Sequence, residues 1–184
     1  MEPAPELAAM TLEEVARAVA ERRLPPVHQW NPQRCGDSEM RIARDGTWYH
    51  QGVPIARPAM VRLFSTVLRR ERDGGYVLVT PMEKLDIEVD DAPFVAVSMK
   101  SEGEGRSARI AFQLNTGDLV TAGPEHPLRF AEDERGPRPY LHVRSGLEAL
   151  IGRSVYYELA ERALATEEAA PGVWSGGIFF PLAA

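Results

Sequence analysis

Residues 44–55 read RDGTWYHQGVPI. An Asp-Gly pair at 45–46, with Met40 and Ile42 ahead of it and Trp48, Tyr49 and His50 behind it, is a hairpin signal. The tight turn joining two twisted antiparallel strands needs positive φ, which glycine adopts at no steric cost. Met40 and Ile42 alternate with charged residues, as a strand with one wet face does. The stretch therefore predicts a β-hairpin with Trp48 anchoring the core. In that geometry His50 shares the Trp48 face, while Tyr49 and Gln51 point the other way.

Upstream of the hairpin, Thr11 and Glu14 form a T-x-x-E capping box, and Leu12, Val15, Ala16 and Val19 recur at helical spacing until RRLPPV ends the run. Downstream, Pro58 suits the first position of a second helix. Met60, Phe64, Val67 and Leu68 fall on one face of it, with Arg62, Arg69, Arg70 and Arg72 outside, and Asp73-Gly74-Gly75 stops it. YVLVTP follows as a short apolar strand. KLDIEVDD then alternates, with Leu85, Ile87 and Val89 on one face and Asp86, Glu88 and Asp90 on the other.

PFVAVSMK and ARIAFQL read as antiparallel strands about the polar turn SEGEGRS. The turn NTGD leads through LVTAG to PLRF and, past the acidic loop AEDERGPR, to YLHV. Ser145 and Glu148 read as a second capping box, for a helix running to about Leu164 with Leu147, Ile151, Val155 and Leu159 on its apolar side. GIFFPL is the last strand. The order hairpin, helix, apolar strand thus occurs twice, which predicts an α+β protein of two tandem, duplicated units with antiparallel sheets. The divisions fall at residues 1–24 for the opening helix, 25–91 for the first unit and 92–184 for the second.

At 184 residues the chain is long enough for one domain or two small ones. Its composition, 44% hydrophobic and 26% charged, is that of soluble globular proteins, and no segment has the roughly 18 uninterrupted apolar residues of a membrane helix. The opening MEPAPELAAM lacks the basic region and apolar core of a secretory signal, so a cytoplasmic setting is expected. The net charge of −6 gathers in residues 76–184, where 17 acidic side chains face 10 basic ones. That balance argues against capture of a nucleic-acid backbone. The single cysteine, Cys35, can form no intramolecular disulfide and is read as structural.

Motifs for chemistry are sparse. GEGRSA at 103–108 matches the loose G-x-G-x-x-A dinucleotide pattern, but that pattern works only where a helix N-terminus receives the phosphates, and here strands flank it. Ser175, in VWSGG, lacks the G-x-S-x-G elbow of a hydrolase. The four histidines never fall at H-x-H or H-x-x-x-H spacing, and the Asp86, Glu88, Asp90 face reads as solvated surface. No catalytic residue, metal or cofactor is assigned. The best site candidate is the hairpin with its neighbours: Trp48 as an apolar wall, His50, Arg57 at the start of the next helix, and Thr80, Glu83 and Lys84 after the strand that returns beside it.

The run W-N-P-x-x-C-G at 30–36, then DGTWYHQGVPIAR, VRLFSTVLRRERDGGYVLVTPMEK and IEVDDAPF, with RSGLEALIGRSVYYEL and WSGGIFF later, resembles a bacterial family, domain of unknown function 1285. The resemblance implies a duplicated αβ core, a pleckstrin-homology-like barrel in the C-terminal half, a ligand surface between the halves and a role in signalling. It carries over no catalytic residues. The leading expectation is a non-enzymatic module that binds a small molecule or a protein at the junction of its halves. The alternatives are a small acid–base enzyme using His50 and Glu83, and a nucleic-acid binder using Arg57, Arg62, Arg69 and Arg70.

Overall fold

The computed structural model describes residues 11–21 and 23–182. The chain divides into two compact units. One holds residues 23–94 with 145–147; the other holds 95–144 and 148–182 with the opening helix. That helix, α1 (Leu12–Glu21), starts as the capping box requires: Thr11 N–H donates to Glu14 Oε2 at 2.7 Å and Glu14 N–H donates to Thr11 Oγ1 at 3.2 Å. The side chains of Val15, Ala16 and Val19, and residues 1–10, lie outside the described part.

The N-terminal unit is a six-stranded sheet built from β1 (Arg34–Ile42), β2 (Trp48–His50), β3 (Val53–Pro54), β4 (Leu68–Arg70), β5 (Tyr76–Val79) and β6 (Glu83–Val89), with helix α2 (Pro58–Thr66) between β3 and β4. Its strand order is β3-β2-β1-β6-β5-β4. The hairpin forms as expected, pairing Ile42 with Trp48 and Arg41 with Tyr49, and Ile42 and Trp48 are buried. Its turn differs from the two-residue form: Gly46 alone has positive φ, at 86°, and Ala43 N–H donates to Thr47 O across a three-residue loop. The two-residue turn comes one step later, where Gln51 (49°) and Gly52 (77°) join β2 to β3.

Helix α2 starts with Pro58 at its first position, and Phe64 stacks on the buried Trp48, ring centroids 6.4 Å apart. The expected apolar face is cut short. Met60 is exposed, and Leu68 is buried on strand β4 rather than on the helix. The Ser65 and Thr66 hydroxyls donate back to the Arg62 and Leu63 carbonyls, offering the backbone an alternative to further helix. Val79 N–H then donates to Val67 O and draws the chain into the sheet.

The sheet is mixed, since β1 and β6 pair in parallel where antiparallel neighbours were expected. A parallel pair needs a crossover of a dozen or more residues, and residues 43–82, running out through β2, β3 and α2 and back through β4 and β5, supply it. Cys35, read as structural, is exposed on β1, whose first four residues have no cover.

The C-terminal unit repeats the plan. Its strands are β7 (Phe94–Glu102), β8 (Arg109–Leu114), β9 (Leu119–Thr121), β10 (Leu128–Asp133), β11 (Gly136–Arg144) and β12 (Leu147–Ile151). They lie in the order β10-β11-β12-β7-β8-β9. In both sheets the first strand is central, the next two run to one edge, the fourth enters at the opposite edge, and the sixth returns beside the first. The duplication therefore lies in the strand order; the helices enter at different points. Helix α3 (Arg153–Leu164) follows the sixth strand of its set, and β13 (Gly172–Ser175) with β14 (Ile178–Pro181), the GIFFPL strand, forms a separate two-stranded ribbon.

The second capping box is not one. Ser145 (45°) and Gly146 (78°) both take positive φ and make a two-residue turn between β11 and β12. Leu147, Ala149 and Ile151 alternate inward along β12, so a period of two wins over the helical spacing that Leu147 and Ile151 also satisfy. The helix starts only after Gly152, whose N–H donates to Ala96 O and where an added Cβ would lie 2.9 Å from that oxygen. Val155, Leu159 and Ala163 are its buried face. The acidic loop is shorter than expected, because β10 and β11 pair as far as Asp133 and Gly136.

Gly46 is buried with φ 86°, so Gly46→Val should lower the denaturation midpoint by an amount equivalent to about 1 kcal/mol or more. An unchanged midpoint would show that the turn tolerates a side chain.

On the wet face of β1, Arg41 donates Nε to Asp90 Oδ1 at 2.8 Å and Nη2 to Oδ2, and these hydrogen bonds hold the Asp90 carboxyl below its usual range. A carboxyl with a lowered folded-state pKa stabilises above its unfolded value, and loses that contribution as the pH falls through the folded value. Stability differences between the parent and Asp90→Asn should thus be present at neutral pH and vanish under strong acid. Parallel pH profiles in chemical denaturation would contradict the pair's contribution.

Candidate functional site

The residues expected to form a site on the N-terminal unit fall into two groups. Thr80 N–H donates to Glu83 O at 2.9 Å, and Thr80 Oγ1 accepts from Met82 and Glu83 N–H at 3.3 and 3.2 Å, closing the β5–β6 turn. Glu83 lies 3.5 Å from Arg34, and Lys84 lies 3.7 Å from Glu71, which also pairs with Arg69. Thr80, Glu83 and Lys84 thus share one end of β6, with Glu83 and Lys84 in separate ion pairs. Trp48 is core, and its indole N–H is buried with no hydrogen-bond partner among the described residues.

His50 is exposed, and it sits at the other end of the sheet. It pairs with Met40 of β1, whereas Glu83 pairs with Arg34 of the same strand. Six residues of strand separate the two partners, on the order of 20 Å less the slack of a bulge. His50 and Glu83 are therefore not within proton-transfer reach, and the acid–base pair is not assembled. Arg57 is exposed at the start of α2, beyond β3 and on His50's side of the sheet. The arginine stripe is broken as well: Arg69 is mostly buried and donates Nη1 to the Val27 and Trp30 carbonyls at 2.8 and 2.7 Å.

The structure gathers a different set of residues in the C-terminal unit. There a cleft of about 810 Å³ is lined by the end of β7, the 103–108 turn, β8, the last turn of α3 and β13. The volume lies within the usual range for small-molecule sites. The turn folds back on itself through Gly103 (φ 77°) and Gly105 (52°), whose conformations favour glycine. Thr166 Oγ1 donates to Gly172 O at 3.0 Å and ties the end of α3 to the start of β13. Ser175 is fully buried, accepting Ile110 N–H at 2.9 Å and donating to Ala122 O at 2.8 Å, which pins β13 to the sheet.

Trp174, next to that pin, forms the aromatic wall. Its Nε1–H donates to Glu168 Oε1 at 3.0 Å, its ring meets Phe179 at 5.4 Å, and the Arg106 guanidinium stands 5.1 Å from its centroid. Three carboxylates, Glu104, Glu167 and Glu168, line the cleft, with the Arg162 guanidinium in the lining and that of Arg106 against the tryptophan wall. The carbonyl end of α3 opens on the same space and adds partial negative charge. Ser101 lines it too, and its Oγ is buried without a partner among the described residues. No group of three or more His, Cys, Asp or Glu among the described residues is placed to hold a metal ion.

Sequence reading passed over these residues because it tested GEGRSA and Ser175 only against dinucleotide and hydrolase patterns. Both stretches build the cleft in a different role. The one usable signal was positional: a polar, glycine-rich turn between two apolar strands, and a tryptophan followed by Ser-Gly-Gly near the end of the chain.

Residues 25–92 match the model for the N-terminal domain of DUF1285, described as a domain of unknown function. Residues 93–182 match the C-terminal domain of DUF1285, a protein of unknown function. A crystal structure of a DUF1285 family protein from Silicibacter pomeroyi DSS-3 is 51% identical, covers 95% of each chain and superposes with a TM-score of 0.81. A second, from Shewanella baltica OS155, is 25% identical over 67% of this chain and 91% of its own, with a TM-score of 0.53. Among curated proteins there is no match. Two family models that together span residues 25–182, and a solved relative of half-identical sequence along nearly the whole chain, place the protein in the DUF1285 family.

Proposed function

We propose that the protein is a non-enzymatic binding module and that its ligand seat is the cleft of the C-terminal unit. The observation that carries this reading is the cleft itself: about 810 Å³ with one aromatic wall, Trp174, and converging charged groups. A concave site with an apolar wall and a few placed polar groups is the usual form of a small-molecule site. Binding is favoured over chemistry because neither hydroxyl in the lining is bonded to a base: Thr166 Oγ1 donates to backbone carbonyls, and Ser101 Oγ has no partner among the described residues. A regulatory use of the bound ligand is part of the same proposal. A cytoplasmic setting is part of the proposal, and among the described residues no helix is long and apolar enough to cross a membrane.

Ala165 is exposed, lines the cleft and caps α3, so a large side chain there fills the space without entering the core. Ligand-observed NMR with a mixed set of charged and aromatic fragments should give hits on the parent chain. Those hits should weaken at least about tenfold in Ala165→Trp, while its denaturation midpoint stays within roughly 0.5 kcal/mol of the parent. Fragments that bind the variant undiminished would place the binding surface elsewhere.

A further inference from the structure

Resting on the cleft as the ligand seat, we propose that it takes a small organic cation ending in a guanidinium group, and that Arg106 occupies the cationic position when no ligand is bound. The wall already holds such a group, since the Arg106 guanidinium lies over the Trp174 ring at 5.1 Å from its centroid. A guanidinium is planar and weakly hydrated, so it stacks on an indole better than a compact, strongly hydrated ammonium does. The hydrogen bond from Trp174 Nε1 to Glu168 holds the ring still and sets a carboxylate beside its edge.

The rest of the lining has the matching charge. Glu104, Glu167 and Glu168 outnumber Arg162 and Arg106 by three to two, and the last carbonyls of α3 add partial negative charge at the same space. An anionic ligand would face all of these and gain only Arg162, with Arg106 beside the ring. A carboxylate edge suits the two parallel donors of the guanidinium fork. At about 810 Å³ the cleft exceeds the head group alone and leaves room for a short apolar tail beside Ala108 and Ala165. Arg106 is exposed on the β7–β8 turn, so side-chain rotation takes its guanidinium off the ring without unpacking the core.

The test is titration of the full chain with butylguanidine, its neutral isostere butylurea, and butylamine. It is followed at the Trp174 indole N–H resonance, identified by its loss in Trp174→Phe. Butylguanidine should shift that resonance saturably, butylamine should bind at least about tenfold more weakly, and butylurea should not bind. Arg106→Ala should tighten butylguanidine at least about threefold, because the internal competitor is gone, and Glu168→Gln should weaken it about tenfold. Equal binding of butylurea and butylguanidine, or an Arg106→Ala affinity that is unchanged or lower, overturns the proposal. If the guanidine fails while other fragments bind the parent and are lost in Ala165→Trp, the cleft remains the seat and only the ligand class is wrong. If butylguanidine binds Ala165→Trp as well as the parent, the seat itself is wrong.

Discussion

One buried hydroxyl decides where the wall of the cleft stands. The β13–β14 ribbon belongs to neither six-stranded sheet, so backbone ladders do not place it. Ser175 ties it to the sheet, accepting from Ile110 N–H on β8 and donating to the Ala122 carbonyl just past β9, beside the Gly176 N–H to Ala108 O bond at 3.1 Å, the Thr166 tie to Gly172 and the burial of Val173 and Phe180. Both partners of the hydroxyl are backbone groups. Losing the hydroxyl would leave a buried donor and acceptor unsatisfied, at about 1–3 kcal/mol each. Trp174 is fixed by being next in the chain, and the Glu168 contact and the Arg106 stack follow from where its ring lies.

The duplicated sheets use local chemistry in the same way at several corners. Two hairpins are closed by a residue pair that takes positive φ, Gln51-Gly52 between β2 and β3 and Ser145-Gly146 between β11 and β12, and β12 buries alternate residues. Those features were legible where two signals agreed. At residues 44–55 the glycine and the alternation both pointed to a hairpin. At 145–151 they disagreed with a chance Ser-x-x-Glu spacing, and the capping box was the wrong one to follow: helical spacing of Leu147 and Ile151 is also strand spacing, because four is a multiple of two. The Ser-Gly pair ahead of them was the deciding evidence.

The site was less legible than the fold because its residues are far apart in sequence. Residues 101–110, 162–168 and 173–174 meet only once the sheet, α3 and the ribbon are in place, and no short pattern records that meeting. The hairpin residues looked like a site because they are chemically varied and close in sequence. Yet parallel pairing of β1 with β6 carries Glu83 to one end of the sheet and leaves His50 at the other. The acidic excess of residues 76–184 includes the three glutamates of the cleft lining, of which Glu168 meets the tryptophan.

The central claim is that the Ser175 hydroxyl holds the tryptophan wall in place, and hydrogen exchange in Ser175→Ala tests it most directly. The account predicts that the folded variant exchanges its Ile110 amide and its Trp174 indole N–H at least about tenfold faster than the parent, because both lose the anchor of β13. Exchange at both protons that matches the parent, in a variant that is folded, would show that the ribbon is positioned by something else.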